Sequence, residues 1–259
     1  MILIGCIIQA RMGSSRLPGK VLKKINGKVP MLKFQLDQLK YSKCIEKIVV
    51  ATTNMEEDDE IVNFCKANNV EYFRGESENV LDRYYQCAKK FNFSIILRIP
   101  SDKPLIDPEI VDDIVGKFDL GCYDYVSNFL TLSYPSGTEV EVLSSKTLES
   151  VWKKAKLPSE LEHVTRYIHT HQNEFNLLSI EYSKDLSKIG WAVDRIEDLE
   201  LVNEIVSKIK KRPILMKNIV DLFNKEPELV KINKNVNRDE GEIKSLKEDQ
   251  EFLKNLSSR

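Results

Sequence analysis

The sequence predicts an α/β fold, with a mostly parallel sheet and helices on both of its faces. Three observations predict it. Short apolar, β-branched segments alternate with segments of helical periodicity through the first half of the chain. The first apolar segment empties into a long loop carrying glycine, proline, arginine and lysine rather than into a hairpin turn. Helix starts are marked by Pro30 and by the pair Asp107-Pro108.

In order along the chain, residues 2–8 are short and apolar and end at polar Gln9, as a buried central strand does. The loop of residues 9–20 follows, then a helix carrying Met31, Leu32, Leu36 and Leu39. Residues 47–52 form a strand, residues 58–68 a helix with Ile61, Phe64 and Cys65 inward, and residues 70–73 a short strand. Val80, Leu81, Tyr84, Tyr85, Ala88 and Phe91 recur at helical spacing, so the Tyr84–Tyr85 pair reads as packing rather than as a base-stacking platform. A strand at residues 94–99 leads to the helix that Asp107 caps, whose inner face is Ile110, Val111, Ile114, Val115 and Phe118.

From Tyr123 the rhythm changes. Residues 123–129 and 138–143 look like strands flanking a loop with Pro135 and Gly137. Helices are expected at Leu148, Val151, Trp152 and Ala155, and after Pro158, where Ser159-x-x-Glu162 matches a capping box. Residues 175–182 and 191–194 read as strands, and a helix runs through Leu199, Val202, Ile205 and Ile209. Beyond Pro213 the chain is highly charged, and residues 233–259 read as a solvated helix or loosely packed tail. The expected organisation is a main domain over residues 1–212 and a charged helical extension over 213–259.

Composition narrows the function classes. The 39 basic and 40 acidic residues leave a formal charge of −1, which argues against a nucleic-acid or anionic-membrane surface. No apolar run approaches the roughly 20 residues that span a bilayer, and residues 2–8 lack the basic region that opens a signal peptide. The five cysteines are odd in number, fall in expected core elements and form no C-x-x-C pair, so reduced thiols and a cytoplasmic location are expected.

The chemistry gathers at the carboxyl ends of the predicted strands. Arg11, Gly13, Ser14, Ser15, Arg16, Gly19 and Lys20 offer backbone N–H groups and cations to a polyphosphate. Arg16 suits two oxygens at once and Lys20 acts as a point charge. The spacing is neither a Walker A motif nor G-x-G-x-x-G. Asp102 follows a strand at the same sheet edge, where one or two carboxylates can share a Mg²⁺ with phosphates. Asp107 is expected to cap its helix. Asp194 precedes a helix and reads as either a cap or a metal partner for Asp102. His163, His169 and His171 are expected on one helix without a nucleophile partner, and no Asp-x-Asp stands at a strand end.

Residues 8–22, Ile8-Gln9-Ala10-Arg11-Met12-Gly13-Ser14-Ser15-Arg16-Leu17-Pro18-Gly19-Lys20-Val21-Leu22, resemble the signature loop of the acidic-sugar cytidylyltransferases. The branch associated with spore-coat polysaccharide synthesis is the most similar; the 3-deoxy-octulosonate and acylneuraminate enzymes are more distant. Further matches follow in order, among them Phe73-Arg74-Gly75, Val80-Leu81-Asp82-Arg83-Tyr84-Tyr85, Pro104-Leu105-Ile106-Asp107-Pro108-Glu109 and Glu162-His163-Val164-Thr165. The resemblance implies a Rossmann-like three-layer nucleotidyltransferase fold with a dimerisation excursion around residues 130–185, and a homodimer. It implies Mg²⁺-assisted attack of an anionic acceptor on the α-phosphate of CTP, with Arg16, Lys20 and Asp102 as the catalytic set and Asp102 and Asp194 as metal carboxylates. Ala10, Arg11, Gly13, Ser14, Ser15, Arg74 and Ser77 would join Arg16 and Lys20 around the nucleotide. Arg98, Lys103, His163 and Arg166 are the acceptor candidates.

The chain departs from that pattern at two places. Ser101-Asp102-Lys103-Pro104 stands where the spore-coat branch usually has Gly-Asp-Cys-Pro, so Lys103 either favours a more anionic acceptor, such as a phosphonate or phosphorylated acid, or points to solvent. Thr165-Arg166-Tyr167 lacks the proline often found at its middle position. Alternatives at this stage are a UTP- or GTP-dependent sugar nucleotidyltransferase, a glycosyltransferase, and a non-catalytic nucleotide sensor.

Overall fold

The protein is described by a computed structural model over residues 2–119, 121–237 and 240–257. Strand β1 (Ile4–Gln9) is followed by a short hairpin of β2 (Lys24–Ile25) and β3 (Val29–Pro30), helix α1 (Met31–Leu39), β4 (Lys47–Thr53), α2 (Asp59–Ala67), β5 (Glu71–Gly75), α3 (Val80–Lys90), β6 (Ile95–Arg98) and α4 (Pro108–Lys117). The second half adds β7 (Tyr125–Ser127), β8 (Glu141–Ser144), α5 (Ser145–Lys154), α6 (Pro158–His163), α7 (Arg166–Thr170), β9 (Leu177–Ser179), α8 (Ile196–Lys208), α9 (Met216–Lys225) and α10 (Glu240–Ser257).

Seven strands form one sheet in the order β5-β4-β1-β6-β8-β7-β9. β1 is central and runs parallel to β4 and β6, while β8 is antiparallel to β6 and β7. Side chains alternate across a strand, so β1 feeds two cores. Cys6 and Ile8 pack with Leu32 and Leu36 of α1, Ile61 of α2 and Val111 of α4; Ile7 packs with Leu81 and Tyr84 of α3 and Leu148 of α5. The layers are helix, sheet, helix, as the alternating sequence requires. Tyr84 is fully buried and its hydroxyl donates to the Ile7 carbonyl, while Tyr85 stacks on Trp152.

A third core joins Leu17, Trp191 and Val193 to Leu199 and Val202 of α8 and to Met216, Ile219 and Phe223 of α9. Residues 214–223 therefore pack into the main body, past the boundary expected at residue 212. Gln38 ties this junction from α1, donating to the carbonyls of Ile106 and Ile214 and accepting from the Ile214 N–H.

Several expectations are corrected. Residues 191–194 form no strand, the isolated bridge to Ser136 lying just before them at Gly190, because their N–H groups go elsewhere: Trp191 and Ala192 to the Ser136 carbonyl, Val193 to the Asp102 carbonyl, Asp194 to the Asp198 carboxylate. The Ser159-x-x-Glu162 capping box does not form. Glu160 accepts the N–H groups of Lys156 and Leu157, and the Ser159 hydroxyl donates to Asp249. The single histidine helix is broken between α6 and α7 by Val164 (φ 58°, ψ −57°), where Thr165 N–H bonds the His163 carbonyl as in a γ-turn. Cys122 is exposed rather than a core thiol, while Cys6, Cys65 and Cys87 are buried; all five cysteines are free. The C-terminal segment forms the expected helix, but that helix docks on α6 instead of being solvated; residues 238–239 and 258–259 lie outside the described residues.

Gly137 lets the chain approach the 190–194 segment. Its φ is 106°, and a Cβ there would lie 2.8 Å from Ala192 N and 2.9 Å from Trp191 Cδ1. Gly137→Ala should therefore cost about 1–3 kcal/mol and lower Tm by several degrees in a thermal melt; an unchanged Tm would show that the segment gives way freely.

Candidate active site

The parallel pairing of β1 and β6 brings two loops to the same sheet edge, one leaving Gln9 and the other leaving Arg98. They are joined where Ser101 N–H donates to the Gln9 carbonyl at 3.2 Å. Val193 N–H donates to the Asp102 carbonyl at 2.8 Å, which brings Asp194 to the same place.

The loop after β1 is folded on itself. The Met12 carbonyl accepts from Ser14 at 2.8 Å and from Gly19 at 2.9 Å, and the Met12 N–H donates to buried Asp58 at 2.6 Å. Gly19 takes a left-handed conformation (φ 65°) that starts a short helical turn at Lys20. That turn points Lys20 inward. Lys20 Nζ donates to Asp194 Oδ1 and to the Val193 carbonyl, each at 2.9 Å, and lies 3.9 Å from Asp102 Oδ2. Arg16 pairs with Asp194 at 2.8 Å. Asp194 does not cap α8; Asp198 accepts the N–H groups there instead.

The surroundings shift the two carboxylates in opposite directions. Burial raises the Asp102 pKa, with Lys20 opposing and Asp194 adding to the rise. Burial also acts on Asp194, but Lys20 and then Arg16 outweigh it and hold its pKa down. Asp102 Oδ1 is buried without a hydrogen-bond partner.

A cleft of about 300 Å³ opens over this cluster. Of the residues singled out from the sequence, Ala10, Arg11, Ser14, Ser15, Arg16, Lys20, Arg98, Asp102, His163 and Asp194 line it. Gly13, Arg74, Ser77, Lys103 and Arg166 do not. Arg74 is spent on Asp59 and the carbonyls of Thr53 and Met55, and the Ser77 carbonyl accepts from Arg83. Lys103 matches neither of its expected roles: it is buried and bonded to the Glu139 carboxylate at 3.0 Å and carbonyl at 2.9 Å. A larger cleft of about 490 Å³, lined by Val29, Phe34, Tyr41 and Arg212 among others, contains none of these candidates.

Arg83, Glu162, Lys244 and Ser245 also line the site without being expected there from the sequence, while Gln9 heads the loop expected to hold the triphosphate. Arg83 lies within a quoted motif, but its helical register marks it as inward-facing without showing a polar environment. It is buried and donates to the carbonyls of Glu76 and Ser77. Lys244 and Ser245 lie on α10, where the charged sequence gives no sign of docking.

Arg98 stands at the cleft wall but is neutralised from behind. It pairs with buried Glu141, which also accepts from Tyr125 at 2.7 Å and Thr165 at 2.5 Å. Burial alone would raise the Glu141 pKa, but Arg98, His169 and these donors pull it down to about 2.

The chain is matched over residues 5–243 by a family described as cytidylyltransferase. It is 32% identical over 231 residues to the spore coat polysaccharide biosynthesis protein SpsF of Bacillus subtilis, covering 86% of this chain and 94% of that one. It is 29% identical over 206 residues to a 3-deoxy-manno-octulosonate cytidylyltransferase of Hydrogenovibrio crunogenus, covering 70% of this chain and 81% of the relative. The solved structure of a cytidylyltransferase from Leptospira borgpetersenii superposes with a TM-score of 0.85 at 32% identity, covering 89% of this chain and 97% of that one.

The Glu141 pair sets an acid limit on stability. A depressed folded pKa contributes stability above the unfolded value of about 4.5 and loses it as pH falls toward about 2. Glu141→Gln should cost about 3–5 kcal/mol in urea unfolding at pH 7, because it leaves Arg98 buried and unpaired. Its deficit against the unsubstituted protein should shrink as pH falls below about 4.5; a deficit independent of pH would contradict this assignment.

Proposed function

This chain belongs to the cytidylyltransferase family and is a nucleotidyltransferase, and from that premise we propose that it couples CTP to a small acidic sugar, releasing pyrophosphate. One observation carries the reading: Lys20 and Arg16 both pair with Asp194 Oδ1, and Lys20 also lies beside Asp102. Cations and carboxylates neutralise one another here at the sheet edge where a triphosphate would lie.

The residues fit Mg²⁺. Asp102 has a buried, unpartnered oxygen, and hard oxygen donors beside phosphates are the usual Mg²⁺ environment. Asp102 and Asp194 would hold the ion, which when bound neutralises phosphate charge.

Arg16 and Lys20 exchange their carboxylate partners for phosphate oxygens as the nucleotide enters. The acceptor hydroxyl oxygen then bonds to the α-phosphorus, the bond from the α-phosphorus to the αβ-bridging oxygen breaks, and the hydroxyl proton is released. Charge on the departing pyrophosphate grows during this step, so the fixed cations contribute most in the transition state. The acidic-sugar acceptor is supported by the motif resemblance and by the 3-deoxy-manno-octulosonate relative. Arg11, Arg98 and His163 supply the cationic or hydrogen-bonding wall for its carboxylate. A homodimer through residues 130–185 is proposed with it, since Phe129 and Leu132 at its edge are exposed.

Pyrophosphate release with 3-deoxy-manno-octulosonate should occur with CTP and Mg²⁺, exceed that with UTP or GTP, and stop on chelation. Lys20→Met and Asp102→Asn should each lower kcat by roughly 10²–10³-fold. Full activity in both variants, or no CTP binding by the unsubstituted protein, would refute the reading. Sedimentation should give twice the mass of one chain, and Leu132→Asp should shift it toward the monomer; a monomeric unsubstituted protein would remove the dimer.

A further inference from the structure

We infer that α10 belongs to the acceptor side of this site and that Ser245 is a positioning residue for His163. The inference rests on the preceding reading, in which the cleft wall at His163 faces the acceptor.

Helix α6 ends at His163, and both Glu162 and His163 line the cleft. Two clamps hold this short helix to α10. The Ser159 N–H and hydroxyl both donate to Asp249, at 2.9 and 2.6 Å, and Ser245 Oγ lies 2.7 Å from His163 Nε2. Ser159, Ser245 and Asp249 are all buried. Buried polar groups are costly unless paired, so two matched polar contacts specify one docking register for α10. A solvated tail has no use for them.

The start of α10 is held separately. Arg195, the residue after Asp194, donates to both oxygens of Glu240 at 2.8 and 2.6 Å. A Cβ placed on Gly241 would lie 3.8 Å from Arg16 Nη1. Gly241, Lys244 and Ser245 thus share the cleft with Arg16, Asp102 and Asp194. The family match stops at residue 243, so Lys244, Ser245 and Asp249 lie beyond it. The family-matched chain supplies the triphosphate end, and a segment reaching past the match completes the wall around His163. Acceptor choice in this protein is then set partly by α10.

Full-length Ser245→Ala, Asp249→Ala and Ser245→Thr variants test this. Without substrate, the two alanine variants should speed amide exchange at residues 159–163 by about tenfold and leave residues 4–9 unchanged. With CTP, Mg²⁺ and 3-deoxy-manno-octulosonate, Ser245→Ala should raise the sugar KM roughly tenfold while the CTP KM and kcat stay within about twofold. Ser245→Thr should restore the sugar KM. Unchanged exchange at 159–163 overturns the proposal, as does an equal loss of CTP and sugar affinity, which would mark general destabilisation. Failure of the preceding reading shows separately, as absence of CTP binding to the unsubstituted protein, and the exchange measurement still decides whether α10 holds α6.

Discussion

The contact of Lys20 with Asp194 and Asp102 is the point on which the rest of the structure converges. Three separate stretches meet there, and each arrives by a backbone device. Gly19 adopts a left-handed turn that glycine takes without steric cost, the Asp102 carbonyl accepts Val193 N–H, and Gly137 leaves room for the 190–194 segment. The central parallel strands provide the floor. Lys20 and Arg16 both pair with Asp194, which lets two cations be held together at a partly buried edge without a prohibitive desolvation cost.

Most of this was legible in the sequence because it depends on local pattern. The period of apolar residues marked α1 to α4, and the strand ends marked where charge would collect. Asp107 shows how local the readable signals are: it caps α4 as expected, accepting from Glu109 and Ile110. Its bond to Met216 N–H, which ties α9 to the same helix, has no local trace. Lys103 fails for the same reason. Its neighbour Asp102 fixes attention on the site, but its side chain is taken by Glu139, just before β8, a partner that spacing cannot supply. The 191–194 segment has a strand's composition, yet its N–H groups are claimed by loops, and only tertiary contacts decide that.

The C-terminal helix was the least legible part. Its charge pattern fits a solvated surface, and its docking rests on Ser159, His163, Ser245 and Asp249, four polar residues whose pairing depends on two distant helices meeting. Where α10 docks, it places Lys244 and Ser245 beside the cleft. The two ends of the cleft are thus built from different physics: fixed charge around Lys20 and Asp194, and polar clamps between helices at His163.

If the carboxylates and cations trade partners when the nucleotide binds, Asp194 has opposite effects with and without metal. Without Mg²⁺ it competes with the triphosphate for Lys20 and Arg16 and repels it; with Mg²⁺ it helps to hold the ion. Calorimetric titration of CTP into the unsubstituted protein and Asp194→Asn, in EDTA and in Mg²⁺, measures this directly. The predicted result is a change of sign, with the variant binding CTP more tightly in EDTA and more weakly in Mg²⁺. Equal weakening under both conditions would contradict the exchange and reduce Asp194 to a structural anchor for Lys20.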